Sequence, residues 1–360
     1  MAEEQFIVSA RKYRPSTWES VVGQSNITET LQHAIDTGHL ASAYLFCGPR
    51  GVGKTTCARI FAKTINEQEG ANLEEDFSFN IFELDAASNN SVDDIRSITD
   101  QVRIPPQVGK YKVYIIDEVH MLSQAAFNAF LKTLEEPPPH AIFILATTEK
   151  HKIIPTILSR CQVYDFNRIK VGDIAKHLSW IAEQEGITAE SSALHVIAEK
   201  ADGALRDALS IFDQIVSYCD KNITYEAVIK NLNILDYEYY FKLTDAILSN
   251  KIHEALLIFD EILDNGFDGH NFVVGLGVHF RNLLVCKDAI TLELLEVDID
   301  VKKRYKQQSA NASARFLVDA LSIVGDTDVN FKIAKNKRLH VELALMKLSS
   351  LTAIESQKKK

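Results

Sequence analysis

Hydrophobic positions in the first 170 residues come in short unbroken blocks separated by stretches of helical period. The unbroken blocks are Ala43-Tyr44-Leu45-Phe46-Cys47, Val113-Tyr114-Ile115-Ile116 and residues 142–146; residues 81–84 and 163–166, interrupted by Glu83 and Asp165, read as two further strands. Apolar runs of four or five residues, bounded by turn-forming residues, predict strands buried on both faces, as in a parallel sheet covered by helices. Between them the period lengthens. Leu31, Ala34 and Ile35 mark a short helix, and Cys57, Ile60, Phe61 and Ile65 mark a second one. Ser91 with Asp94 resembles a capping box, Ile95, Ile98 and Val102 supply the buried face, and Pro105-Pro106 stops the helix. Ser123 caps a helix carrying Phe127, Phe130, Leu131 and Leu134, stopped by Pro137-Pro138-Pro139, and Ser159-Arg160-Cys161 closes a short one. The polar, acidic segment 67–76 reads as a surface loop.

From Val171 onward the strand blocks vanish. Ile174, Leu178 and Ile181 make one helix, Leu194, Ile197 and Ala198 a second, and Ala204 to Ile215 a third. Beyond Leu232 the chain reads as a further helical block, with one face at Leu256, Phe259, Ile262 and Leu263 and a last one at Val341, Leu345, Leu348 and Leu351. The expected organisation is an α/β core over residues 1–169, a three-helix unit over 170–232, an all-α domain over 233–352 and a disordered tail over 353–360.

Composition narrows the class. The 360 residues are 46% hydrophobic and 24% charged, as in an ordinary globular protein. No apolar run approaches the ~20 residues of a membrane span, and Met1-Ala2-Glu3-Glu4 does not begin a signal peptide. Five scattered cysteines without a C-x-x-C pair suit free thiols in a reducing cytoplasm. The net charge of −10 excludes a chain that binds nucleic acid by bulk charge, so any such contact needs a local basic surface or backbone N–H groups.

The chemistry starts at Gly48-Pro49-Arg50-Gly51-Val52-Gly53-Lys54-Thr55-Thr56, the spacing of a phosphate-binding loop. Its glycines let successive N–H groups turn inward on a polyanion. Lys54 would reach the terminal phosphates and the Thr55 hydroxyl would hold Mg²⁺. A strand precedes the loop and a helix follows it, so the anion would sit at a helix N-terminus. Asp117 and Glu118 end the third strand, where open α/β sheets bind ligands. Asp117 suits Mg²⁺, and Glu118 suits deprotonation of an attacking water. Upstream, Trp18, Val21 and Val22 form either a base-pocket wall or a packed N-terminal arm. Thr148 could face a γ-phosphate or simply make a turn, and Arg160 by itself is a surface cation.

Taken together these words resemble the gamma/tau ATPase family of the bacterial DNA polymerase III clamp loader, a AAA+ family. The resemblance is carried by Arg11-Lys12-Tyr13-Arg14-Pro15, the phosphate loop, Leu84-Asp85-Ala86-Ala87-Ser88-Asn89-Asn90 and residues 109–122. It continues through Ala126-Phe127-Asn128, residues 131–137, Ile157-Leu158-Ser159-Arg160-Cys161 and residues 205–210. It implies a five-stranded parallel sheet, a three-helix lid and a helical collar for oligomerisation. It implies ATP hydrolysis within a DNA-directed DNA polymerase holoenzyme, with ATP and Mg²⁺ as cofactors. Thr148 becomes a first sensor, Arg206 a second sensor on the lid, and Arg160 an arginine finger acting on a neighbouring subunit. Arg11, Tyr13, Val21 and Val22 join the nucleotide pocket. The implied partners are delta and delta-prime subunits, further gamma/tau copies, the sliding clamp and primer–template DNA, in the cytoplasm and at the nucleoid.

Two departures qualify the resemblance. Most relatives carry a four-cysteine zinc module after the phosphate-loop helix, whereas residues 65–81 contain no Cys or His, so no zinc is expected. The chain also stops after the expected collar, as either a truncated tau or a natural short form. Asp117-Glu118-Val119-His120 additionally fits a DExH helicase, and a branch-migration ATPase shares the core. The first needs a second motor domain and the second a winged helix, and neither pattern is evident. Asn89 and Arg96, at the start of a helix, are the candidate DNA contacts.

Overall fold

The structure, a computed structural model, describes residues 7–67, 80–107, 109–219, 221–295, 297 and 299–358. Most of the expected acidic loop and of the zinc-free segment, residues 68–79, lies outside the described residues. The chain divides into two compact units, Met1–Asn222 and Ile223–Lys360.

In the first unit five strands form one parallel sheet: β1 (Ala43–Cys47), β2 (Ile81–Asp85), β3 (Lys112–Asp117), β4 (Ala141–Thr147) and β5 (Gln162–Asp165), ordered β2-β3-β4-β1-β5. β1 and β4 are buried throughout, which is why their sequences run apolar without alternation. β2, at an edge, keeps only partial cover along its length. The fifth strand begins one residue earlier than its apolar block, because parallel pairing with β1 starts at Tyr44↔Gln162. Hydrophobic residues from both faces make two cores. Phe46, Phe61 and Ile144 lie in one, and Leu45, Phe130 and Phe143 in the other.

The helices of this unit are α1 (Ser9–Lys12), α2 (Ser25–Asp36), α3 (Lys54–Glu67), α4 (Val92–Val102), α5 (Gln124–Glu135) and α6 (Pro155–Leu158), then α7 (Val171–Gln184), α8 (Ser191–Lys200) and α9 (Leu205–Cys219). The capping residues behave as their chemistry requires. Ser91 accepts from the Asp94 N–H while Asp94 bonds back to the Ser91 N–H, and Ser123 accepts from the Ala126 N–H. α4 ends at Val102 and α5 at Glu135, each before its prolines. α7 to α9 bury Ile174, Leu178, Ile181, Ile197, Phe212 and Ile215. The four-residue α1 is a new element, too short for periodicity to reveal.

The α-helices of the second unit, which starts on the strand residue Ile223, are α10 (Tyr225–Asn231), α11 (Tyr237–Leu248), α12 (Ile252–Asp264), α13 (Gly269–Val285), α14 (Ile299–Asn311), α15 (Ala314–Phe331) and α16 (Lys337–Lys358). α16 overlaps the segment 353–358 read above as tail; residues 359–360 lie outside the described residues. Phe259, Ile262, Val341, Leu345 and Leu348 are buried in its core. A polar set is buried there as well. His279 Nε2 bonds Gln308 Oε1 at 2.9 Å, and Gln308 Nε2 donates to the Phe241 carbonyl at 2.8 Å and to Asp245 at 2.7 Å.

Candidate nucleotide site

The site lies at the C-terminal ends of β1, β3 and β4, three strands that neighbour one another although sequence separates them by up to a hundred residues. From β1 the chain enters the glycine loop with positive φ at Gly48 (146°), Gly51 (77°) and Gly53 (105°). The Gly48 N–H donates to the Thr147 carbonyl at 3.2 Å, stitching the loop to β4. At Gly48 an added Cβ would meet the Phe166 carbonyl oxygen at 2.4 Å, whereas at Gly53 it would meet nothing within 4 Å. The first glycine therefore serves close packing, and the third leaves room above the loop.

Lys54 opens α3 and is 6% exposed, its Nζ donating to the Gly48 and Pro49 carbonyls at 2.7 and 2.8 Å. Burial pushes its pKa below the usual lysine value, against the opposite pull of Glu118 and Asp117. A bound polyanion would act in the same direction as those carboxylates. Thr55 Oγ1 donates to Asp117 Oδ2 at 2.7 Å, so the two groups expected to hold a divalent cation already touch. Asp117 Oδ1 accepts the Glu118 N–H at 2.9 Å.

Glu118 occupies the left-handed region, φ 48° and ψ 43°, a conformation costing an L-residue ~1–2 kcal/mol. Its Oε2 accepts from Thr148 Oγ1 at 2.9 Å and from the Thr148 N–H at 3.3 Å. The structure thus places the Thr148 hydroxyl on the carboxylate; Thr148 does not line the cavity.

A cavity of about 170 Å³ opens over the loop. Gly51, Val52, Gly53, Lys54, Thr55, Thr56, Asp117, Glu118, Arg206, Tyr13, Val21 and Val22 all line it. Arg11 does not. One turn of α1 turns Ala10, Tyr13 and Arg14 toward the cavity, and Arg11 lies off that face, exposed. Sequence reasoning also missed Arg14, Ile169, Leu205 and Leu209 as lining residues. Leu205, Arg206 and Leu209 share a helical face, a signal that could have found them. The Arg14 pKa is lowered, first by burial and then by the charges of Arg59 and Arg206, which marks the cavity wall as electropositive.

Arg160 stands apart. Its guanidinium donates to the Thr156 carbonyl at 2.5 Å and pairs with Glu135 at 2.7 Å, and it does not line the cavity of its own chain. Asn89 donates to the Asp85 carbonyl at 3.1 Å. Arg96, mostly exposed on α4, approaches Asp93 at 3.5 Å. Neither lines the nucleotide cavity. Among the described residues no helix is long and apolar enough to cross a membrane.

Comparison with known proteins places this geometry. A family model described as DNA polymerase III, delta subunit, matches residues 23–170. A second, the ATPase lid domain of the DNA polymerase III clamp loader subunit, matches residues 173–221. A third, domain III of DNA polymerase III subunits gamma and tau, matches residues 223–360. DNA polymerase III subunit gamma of Buchnera aphidicola subsp. Baizongia pistaciae is 32% identical over 360 residues, covering 96% of this chain and 97% of that one. Subunit tau of Bacillus subtilis is 40% identical over 351 residues, covering 94% and 62%, and subunit tau of Escherichia coli is 35% identical, covering 94% and 55%. The chain thus spans about six tenths of these tau proteins. Among solved structures, the RuvB Holliday junction branch migration motor of Thermotoga maritima aligns with a TM-score of 0.51 at 22% identity. It covers 66% of this chain and 79% of the other, a likeness of fold alone.

Proposed function

We propose that this chain, which belongs to the DNA polymerase III gamma/tau family, is an ATP-hydrolysing motor subunit of a clamp loader that places the sliding clamp on primer–template DNA. The observation that carries the reading is convergence. Lys54 and Thr55 from the glycine loop and Asp117 and Glu118 from β3 line one cavity, with Arg206 contributed by α9. A branch-migration or DExH motor shares the core, but residues 223–360 match the gamma and tau domain III.

The residues fit the nucleotide and its cation. Gly53 leaves room where a phosphate would lie, a buried ammonium stands behind it, and an adjacent hydroxyl and carboxylate form a hard oxygen pair. Thr55 and Asp117 would hold Mg²⁺, which would offset charge on the phosphate oxygens. Val21, Val22, Tyr13, Ile169 and Leu209 supply apolar cover suited to a base. Lys54 binds the β/γ-phosphates, and Glu118 takes the proton of the attacking water. Arg206 covers the phosphates in cis.

Arg160 acts on a neighbour's nucleotide. Its placement outside its own cavity supports that role, and its planar fork suits bidentate phosphate contact. DNA is met through Arg96 and Asn89 by contacts to phosphates, which read duplex shape rather than sequence. Delta and delta-prime subunits, further copies of this chain and the clamp complete the assembly.

The test is hydrolysis by the chain assembled with delta and delta-prime subunits, with and without clamp and primed DNA. The expected result is a Mg²⁺-dependent rate that rises with both and whose DNA component weakens with salt. Hydrolysis indifferent to clamp and DNA refutes the reading. Arg96→Ala is expected to lower the DNA-stimulated rate; an unchanged response removes Arg96 from the DNA contacts.

A further inference from the structure

We infer that His120 is a positioning residue that sets Glu118 by fastening both neighbours of Thr148. This rests on the reading of Glu118 as the base for hydrolysis.

The His120 side chain is 8% exposed and lies in the turn after β3, three residues beyond Asp117. Its Nδ1 lies 3.1 Å from Thr147 Oγ1, and its Nε2 lies 3.2 Å from Glu149 Oε2. Thr147 is fully buried at the end of β4, and its Oγ1 also accepts the Glu149 N–H at 3.0 Å. A carboxylate at Glu149 can only accept, so the neutral ring is assigned with its proton on Nε2, facing Glu149. That leaves Nδ1 to accept the hydrogen of the Thr147 hydroxyl, whose lone pairs serve the Glu149 N–H. In this neutral tautomer each ring nitrogen has a suitable partner. One imidazole thereby ties the side chain of residue 147 and the side chain of residue 149 to a single rigid plane.

Thr148 lies between those two anchors. It is the residue whose N–H and Oγ1 both point at Glu118 Oε2. The same tautomer has no proton to offer Glu118, although Nδ1 comes within 3.4 Å of Oε2. His120 therefore acts on the carboxylate through the Thr147–Glu149 turn. Lys152, paired with Glu149, helps hold the far end of this turn. The Thr147 carbonyl accepts the Gly48 N–H, so the turn is also registered against the glycine loop. The orientation of Glu118 relative to the loop is thus set by residues from β4 and from the β3 turn. Displacing a reacting group by about 1 Å is enough to cost ~10²-fold in rate.

The experiment compares His120→Ala, Thr147→Val, their double variant and His120→Asn, in the assembled complex and by crystallography. His120→Ala and Thr147→Val are each expected to lower kcat roughly 10–100-fold while nucleotide affinity changes less than about twofold. The double variant should fall within about threefold of the worse single one, since both break one link. His120→Asn, whose amide oxygen can still accept from Thr147, should recover most of the rate and keeps the test open if His120→Ala does not fold. Effects of the two single changes that multiply, or affinity falling as far as kcat, overturn the inference. The crystal structure of the His120→Ala variant gives a readout independent of turnover. Loss of the Thr148 Oγ1–Glu118 Oε2 contact supports the positioning role; a contact retained at 2.9 Å overturns it. An inactive wild-type complex would instead refute the proposed function, leaving that structural comparison to decide the role of His120.

Discussion

Alanine at Gly48 and alanine at Gly53 should separate folding from nucleotide binding, although both glycines belong to one loop and both have positive φ. At Gly48 the new Cβ would sit 2.4 Å from the Phe166 carbonyl oxygen and 2.9 Å from the Phe166 Cβ. Ordinary contact begins near 3.4 Å, so loop and strand must part by about 1 Å. Backbone is on both sides of that contact, and the Phe166 N–H donates to the Cys47 carbonyl at 2.7 Å directly before the loop. Parting them strains a hydrogen bond at the end of β1 and β5 in addition to the φ penalty. The combined cost is ~2–4 kcal/mol, a fall of roughly 4–16 °C in the melting temperature of the first unit. At Gly53 the Cβ meets nothing within 4 Å, so Gly53→Ala carries the φ penalty alone, ~1–2 kcal/mol. Its methyl group, however, enters the space over the loop, next to Lys54. Thermal melts followed by near-ultraviolet circular dichroism, with titration of a fluorescent ATP analogue, measure both quantities. Gly48→Ala should lose stability first. Gly53→Ala should melt within a few degrees of wild type yet bind nucleotide at least about tenfold more weakly. If Gly53→Ala binds normally, or if both variants lose stability alike, the phosphate is not seated over Gly53 and the reasoning fails.

Other expectations follow from single contacts. Glu118→Gln keeps the size and one hydrogen-bonding oxygen, so it should bind ATP normally while turnover falls ~10²–10⁴-fold, read by single-turnover hydrolysis; equal loss of binding would make Glu118 structural. Arg160→Ala mixed with Lys54→Ala in reconstituted complexes should regain partial activity, because some interfaces then pair an intact loop with an intact arginine; a mixture as inactive as either parent, with assembly verified, refutes action in trans. Burial lowers the pKa of His279 to about 4 from an ordinary 6.5, so the unfolded chain binds the proton more tightly than the folded second unit. Stability is then fully present above pH ~6.5 and is lost as pH falls toward about 4, by ~1–3 kcal/mol. Denaturant melts at pH 7 and pH 5 should differ by less in His279→Gln than in wild type, and an equal difference in both would assign the acid sensitivity elsewhere.

Much of this protein is legible in one dimension because its signals are local. The unbroken apolar blocks specify buried strands, the 3.6 period specifies helices, Ser91 and Ser123 specify helix starts, and the glycine spacing specifies a loop whose chemistry follows from its backbone. Residues within a few positions of one another carry all of those signals. The strand order β2-β3-β4-β1-β5 is of another kind, because pairing strands that are far apart in sequence depends on how whole faces bury together. That order brings β4 between β1 and β3, and so brings Thr148 to Glu118 and the Thr147 carbonyl to Gly48. Nothing in the spacing from 118 to 148 announces that contact. The cavity wall made by Tyr13, Arg14 and Arg206 likewise joins segments almost two hundred residues apart. A single helical turn, too short to leave a period, decides that Tyr13 and Arg14 line the cavity while Arg11 does not. Motifs name the chemical groups; the sheet determines which groups meet, since side-chain contacts across a parallel sheet are set by register and burial of strands that the chain visits out of order.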